Sequence, residues 1–201
     1  MPDFSAPMDV KSVTLTGRTL RLEPLSMEHA GALRRVVEPD IFTYGVIMPH
    51  EWTEEGWLDY MRRFLAIPGR VPFAVVPLDT GQAVGSTSYF DIRPEHRGLE
   101  IGYTWLGKAY QSTHINPENK YLLLRHAFET LGAIRVQLKT DGRNLQSQRA
   151  MAKLGAKYEG TMRHQVILPD GYRRDNVMFS IIVEEWPEVK AGLEARLGYV
   201  P

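Results

Sequence analysis

Glu100-Ile101-Gly102-Tyr103-Thr104-Trp105-Leu106 runs on through Gly107-Lys108-Ala109-Tyr110-Gln111-Ser112-Thr113-His114-Ile115 to Asn116-Pro117-Glu118. The first seven residues suit a strand, the next nine a polar loop, and the last three a helix start. Asn116 is the expected cap, Pro117 the first helical position and Glu118 the complement to the positive end of the helix dipole. The apolar residues from Tyr121 to Leu131 continue that helix, Gly132 stops it, and Ile134–Thr140 reads as the next strand. The first turn of such a helix leaves backbone N–H groups unpaired and attracts anions. A strand–loop–helix unit of this kind therefore suits a pyrophosphate. The junction alone is weak evidence, because every α/β protein has several.

Outward from this centre the pattern stays mixed. Towards the N-terminus, Thr16-Gly17-Arg18 is a turn between two short alternating runs, Val13–Leu15 and Thr19–Glu23. Ser26 is a helix cap whose third following residue is His29, where a capping box asks for Glu or Gln. Thr53 caps a second helix with Trp57, Leu58, Met61, Phe64 and Leu65 as its buried stripe. Pro72–Leu78, Ala83–Ile92 and Leu99–Leu106 read as strands. Towards the C-terminus, Asn144–Leu154 is a helix stopped by Gly155. Tyr158–Leu168 and Tyr172–Val183 form a hairpin through Pro169-Asp170-Gly171, and Glu184–Leu197 is a closing helix. The fold class is α/β (α+β), a mixed central sheet flanked by helices. The domain organisation is a flexible tail over residues 1–11 and one domain over residues 12–201.

Composition narrows the function classes. Of 201 residues 43% are hydrophobic, and 24 basic residues balance 24 acidic ones. The chain thus has material for a sizeable core and no global pull towards nucleic acid or an anionic membrane. No segment reaches the roughly 18 apolar residues of a membrane span, and Met1–Val10 lacks a signal peptide's apolar run. With no cysteine, a disulfide framework, a thiolate metal site and a thiol nucleophile are all excluded, and a cytoplasmic location is expected. His96, His114 and His164 fall on separate segments, so no metal is expected. His126, beside Ala127 and Phe128, reads as a packed core histidine.

Several short motifs, in order, resemble the GNAT acetyltransferases, and within them the RimJ/RimL-type branch named for enzymes acting on N-termini of ribosomal proteins. They are Glu100–Leu106, Gln111–Asn116, Arg135–Thr140, Asn144–Ser147, Lys153–Ala156 and Glu159-Gly160, with Asp175–Ile182 and Glu185-Trp186-Pro187 behind them. The resemblance covers roughly Gly17 to Leu197. It implies the GNAT acyl-CoA N-acyltransferase fold, with acetyl-CoA as cosubstrate and no metal, and transfer of an acetyl group to a primary amine by direct attack on the thioester. The acceptor is either a protein N-terminus or a small amine, and a homodimer stays open. The runner-up is a GNAT-fold module that binds CoA in a regulatory role without turnover.

The resemblance also implies roles for particular residues. Trp105 and Leu106 offer backbone groups to the pantetheine arm. Gln111, Ser112, Thr113, His114, Ile115 and Asn116 wrap the pyrophosphate, with His114 and Asn116 standing where the family pattern has small residues. Asn144 and Ser147 face the arm near its thiol, although both also make sense as the cap and first turn of a helix. Met151 occupies the position of the family's frequent tyrosine acid, which leaves Ser147 or solvent for that role. Glu100 is the candidate base, its alternative being a structural pair with Arg93 or Arg97. Phe42, Tyr44, Trp52 and Trp57 line the acceptor side or pack in the core. Glu38, Asp40, Glu51, Glu54, Glu55 and Asp59 lie near them, which keeps a cationic small-molecule acceptor open.

Overall fold

A computed structural model describes residues 6–199; Met1–Ser5, the first part of the expected tail, lie outside the described residues, as do residues 200–201. Eight strands form one sheet: β1 (Leu15–Thr16), β2 (Leu20–Pro24), β3 (Val71–Pro77), β4 (Gly85–Arg93), β5 (Gly98–Leu106), β6 (Arg135–Asp141), β7 (Lys157–Ile167) and β8 (Arg173–Ile182). Their spatial order is β1-β2-β3-β4-β5-β6-β8-β7. The helices are α1 (Ala30–Val36), α2 (Glu54–Leu65), α3 (Ile115–Arg125), α4 (Leu145–Lys153) and α5 (Trp186–Leu197).

Strand alternation sorts the core onto two faces. Phe73 and Val75 of β3 join Leu122 and Leu123 of α3, Met151 of α4 and Val189 and Leu193 of α5 on one face. Ala74 and Val76 turn the other way, towards Leu33 of α1 and Trp57, Met61 and Phe64 of α2. Met8, inside the expected tail, is buried in the first of these clusters, and its N–H bonds to the Pro94 carbonyl at 3.2 Å.

The pairing at the centre of the sheet matters most for function. All neighbouring strands are antiparallel except β5 and β6. These two run parallel and pair only from Gly98↔Arg135 to Glu100↔Gln137. Beyond Glu100 they diverge. β5 keeps its partner β4 as far as Gly85↔Leu106, with a register shift between Ser86 and Ser88. Tyr103 sits at this irregularity with φ +50, the local distortion by which a bulge bends a strand. Gly102 permits it: a Cβ there would stand 2.6 Å from the Phe90 ring.

Local chemistry explains most element boundaries and alters a few. The Ser26 capping box is complete, with the His29 ring accepting from the Ser26 N–H at 3.0 Å in place of the anticipated Glu or Gln. α3 begins one residue before the expected Asn116 cap: His114 occupies the cap position without a side-chain hydrogen bond, and Pro117 falls third in the helix. Proline is accommodated there because that N–H has no partner in the first turn. Glu118 does not face solvent at the dipole end. It is fully buried and accepts from the Arg18 N–H at 2.6 Å, the Thr19 N–H at 3.0 Å and the Thr19 hydroxyl, tying the β1–β2 turn to α3. α3 then widens into a π-turn over His126–Thr130, so the α-helix ends at Arg125 and not at the expected Leu131. His126 is buried there against Tyr89, whose hydroxyl lies 3.3 Å from Nδ1, as a packed histidine should be.

Candidate active site

The divergence of β5 from β6 opens a cavity of about 770 Å³ between the two faces of the sheet, within the range of small-molecule sites. Its walls are β5 from Glu100 to Leu106, β6 from Leu138 to Thr140, the first turns of α3, the length of α4, and the loop Asp40–Ile47. The expected site residues Glu100, Trp105, Leu106, Gln111, Ser112, Thr113, Asn116, Asn144 and Ser147 all border it. His114 and Ile115 do not line it; Ile115 is buried in the core below the helix start.

Glu100 sits where the strands part and has no exposed surface. Its Oε2 accepts from Gln137 Nε2 at 2.8 Å and Lys139 Nζ at 3.1 Å, while Oε1 has no hydrogen-bond partner among the described residues. Burial raises its pKa above the usual carboxylate range, and the Lys139 charge and the Gln137 bond oppose that rise without cancelling it. The alternative pairing with Arg93 or Arg97 is not formed. Arg93 turns to the Gln137 amide oxygen at 3.1 Å, and Arg97 reaches the carbonyls of Ala6, Leu131 and Gly132. A buried carboxylate on the wall of a cleft, with one oxygen unpartnered, is suited to accept a proton.

At the other end, the loop before α3 presents backbone donors. The amides of Ser112, Thr113, His114 and Asn116 have no hydrogen-bond partner among the described residues, whereas the Ile115 N–H is taken by Thr113 Oγ1 at 3.2 Å. Ser112 adopts φ +58, which turns successive amides towards one side, the concave arrangement that binds anions. Gln111 contributes differently from expectation. Its Nε2 donates to the Leu106 carbonyl at 3.0 Å, fixing the loop to the end of β5. Asn144 caps α4 by accepting from the Ser147 N–H at 3.0 Å, so its side-chain oxygen serves the helix while both residues border the cleft. Arg149 and Lys153 of α4 line the same cavity. Arg143 instead forms an ion pair with the buried Asp141 at 2.7 Å and stacks on Tyr172.

The acceptor side divides the four aromatic candidates. Phe42 and Tyr44 line the cavity, whereas Trp57 is a core residue whose indole N–H bonds to the Ala30 carbonyl at 2.8 Å. Trp52 packs against Phe42 from outside. Of the six acidic residues only Asp40 reaches the cavity, and Lys108 pairs with it at 2.9 Å and with Glu38 at 2.6 Å. Arg174, buried and bonded to the Tyr44 carbonyl at 2.8 Å and Asn176 at 2.6 Å, forms part of this wall.

Lys120 is the residue that sequence reading passes over. It is buried on α3, borders the cavity, and donates to Thr104 Oγ1 at 2.8 Å. Burial alone lowers its pKa to about 7. The signal available in the sequence was spacing: residues 116, 120, 123 and 127 share one helical stripe, and two of them are Leu123 and Ala127. No group of His, Cys, Asp and Glu suited to a metal occurs among the described residues, and no helix there is long and apolar enough to cross a membrane.

Comparison with known proteins agrees with this geometry. The family model of the acetyltransferase (GNAT) domain matches residues 19–157. A structure described as an acetyltransferase from T. thermophilus is 44% identical, with 94% of this chain and 100% of that chain covered and a TM-score of 0.89. A GCN5-related N-acetyltransferase from Brucella melitensis is 26% identical over 96% of this chain and 89% of that one, also with a TM-score of 0.89. Mycobacterium smegmatis RimJ in complex with CoA-disulfide shares the fold at 21% identity, covering 93% and 94% of the two chains with a TM-score of 0.74. No curated protein matches the chain. With the split between β5 and β6 and the donor loop ahead of α3, these matches establish that the chain belongs to the GNAT family and is an N-acetyltransferase.

Proposed function

We propose that the chain transfers the acetyl group of acetyl-CoA to a primary amine whose remainder is neutral or anionic, a peptide N-terminus being the acceptor that fits best. The observation that carries this reading is the opening of the sheet beyond Glu100↔Gln137, with a buried carboxylate at the vertex and free amides at the mouth. Acetyl-CoA, when bound, supplies the thioester electrophile.

The residues present suit that ligand. The unpaired amides of Ser112, Thr113, His114 and Asn116 can hold a diphosphate, and Arg149 and Lys153 add positive charge to the same cavity. Trp105 and Leu106 lie on the edge of β5 that faces the gap, with Asn144 and Ser147 opposite on α4. His114 and Asn116 are compatible with this because His114 does not project into the cavity and Asn116 leaves its N–H free.

Glu100 acts on the acceptor. An amine attacks only as the free base, and Glu100 Oε1, buried and unpartnered, is the acceptor for its proton. Lys139 and Gln137 hold the carboxylate through Oε2 and fix its orientation. The unpaired edge of β5 leaves backbone donors for charge developing on the carbonyl oxygen. A polycationic acceptor fits poorly, because Lys108 neutralises Glu38 and Asp40 and because Arg174 and Lys139 border the pocket.

Titration calorimetry with acetyl-CoA, followed by thiol release over a panel of amines, tests the reading. Binding is expected in the micromolar range, with turnover on short peptides bearing a free N-terminus and little on polyamines. Binding without thiol release on any amine would instead make the chain a CoA-responsive module. No binding at millimolar concentration would overturn the reading altogether.

A further inference from the structure

Two of the cations that line the cleft, Lys120 and Arg174, are buried, and only Arg174 has an anionic or carbonyl partner among the described residues. Lys139 has Glu100, and Arg174 has Asn176, the Tyr44 carbonyl and, at 3.9 Å, Asp141. Lys120, buried, has only the Thr104 hydroxyl, itself 2.8 Å from Thr87 Oγ1. Other charged groups bordering the cavity are Asp40 before β3, Glu100 on β5, Lys108 after it, Lys139 on β6, Arg149 and Lys153 on α4, Arg174 on β8 and Arg196 on α5, and none pairs with Lys120. A buried ammonium lacking a counter-ion is costly and is retained where an anion comes to it.

Position along the cleft selects that anion. Lys120 lies four residues, about 6 Å, along α3 from Asn116 and its free amide. Its bond to Thr104 holds it there, between the donor loop and Glu100. A diphosphate at the helix head remains one turn away, and the pantetheine arm that follows is uncharged. The anion that arises at this depth is the sulfur released during transfer.

We propose that Lys120 is the acid that protonates the departing thiolate, an inference that rests on the acetyl-CoA reading above. The amine nitrogen forms its bond to the thioester carbon and gives a proton to Glu100. The carbon–sulfur bond breaks with its electron pair on sulfur. An N–H bond of the Lys120 ammonium breaks and the proton forms the S–H bond. Lys120 then regains a proton from solvent and Glu100 loses one to it, so amine and thioester become amide and thiol with no net proton change. An ammonium of lowered pKa matches this task near neutrality. A serine hydroxyl such as that of Ser147 ionises far above neutrality and does not.

Two variants and a spectroscopic readout test it. The ultraviolet thiolate absorbance of bound CoA is titrated against pH in the wild type, Lys120→Met and Lys120→Arg. The wild type is expected to hold the thiolate at least about one pH unit below free CoA, a tenfold shift in its ionisation. Lys120→Arg should keep that shift and Lys120→Met should abolish it. Turnover at pH 7, with an acceptor amine of low pKa, should fall about 100-fold in both variants, because arginine holds a thiolate without releasing a proton. The falling alkaline limb of wild-type kcat should vanish in both, with acetyl-CoA affinity within threefold. Identical thiol titrations in wild type and Lys120→Met would overturn the proposal. So would a hundredfold loss of affinity with kcat unchanged, which would make Lys120 a phosphate ligand. Should Lys120→Met not fold, unimpaired turnover in Lys120→Arg overturns it equally. Failure of the wild type to bind CoA at all would sink the cosubstrate reading instead.

Discussion

A carboxylate removed from water releases its proton at higher pH, and Glu100 is in that state despite Lys139 beside it. A base must be deprotonated to act, so the rising limb of kcat should lie above the ordinary glutamate value of about 4.3. Glu100→Gln should remove this limb and lower kcat by about 100-fold near neutrality. The deficit should shrink as pH rises and free amine accumulates, and calorimetry should find acetyl-CoA affinity unchanged. His114→Gly should preserve or tighten CoA binding, because the His114 side chain does not enter the cleft; a tenfold loss would make the imidazole a ligand. Lys120 carries a linkage prediction of opposite sign. Its folded pKa is depressed to about 7, so the stability it contributes is present above the unfolded lysine value of about 10.4 and is lost as pH falls towards 7. Lys120→Met should therefore melt higher than wild type at pH 7, and the two curves should meet above pH 10. Glu100 was legible in the sequence as a candidate, a lone acid on a strand beside a helix head, although a structural pair with Arg93 or Arg97 stood equally open there. Lys120 was not, because Asn119-Lys120-Tyr121 reads as a solvated turn unless the stripe through Leu123 and Ala127 is followed back.

At the level of elements, caps were legible and helix heads less so. Thr53 and Asn144 accept from the Gly56 and Ser147 amides, as short side-chain oxygens placed before a helix do. Asn144→Ala should lower stability by about 0.5–2 kcal/mol in urea unfolding, and it should also impair CoA binding, since α4 forms one wall of the cleft. The start of α3 was misplaced because Asn116-Pro117 satisfies every local rule for a cap, whereas the register is set at a distance. Glu118 must face the Arg18 and Thr19 amides, and this fixes the rotation of the helix. Glu118→Ala removes the acceptor of these part-buried bonds and should destabilise the fold by roughly 2–6 kcal/mol, at 1–3 kcal/mol per amide left unsatisfied. The π-turn at His126–Thr130, where His126 packs on Tyr89, has no local signature in the sequence.

For the molecule as a whole, the sheet is continuous by strand order and divided in practice. Its first five strands rest on α1 and α2 as well as α3, while the strand pairing that joins β6, β8 and β7 to them is confined to the three positions at the foot of β5. A ligand filling the gap bridges both parts. Acetyl-CoA at about 100 times its Kd should add about 2.7 kcal/mol, a rise of roughly 5–11 °C in Tm for a domain this size, measurable by calorimetry. The run of strands and helices and the mixed sheet followed from periodicity and turn residues, but the gap did not, since nothing in Ile101–Leu106 distinguishes a paired strand from one with a free side. That free side has a further consequence. A sheet ordinarily offers two rims to water, and this one offers four, two of them in its middle. Deuterium should therefore enter the alternate amides of β5 beyond Glu100 within seconds, while its neighbours in β4 stay protected for hours, and a bound thioester should erase the contrast.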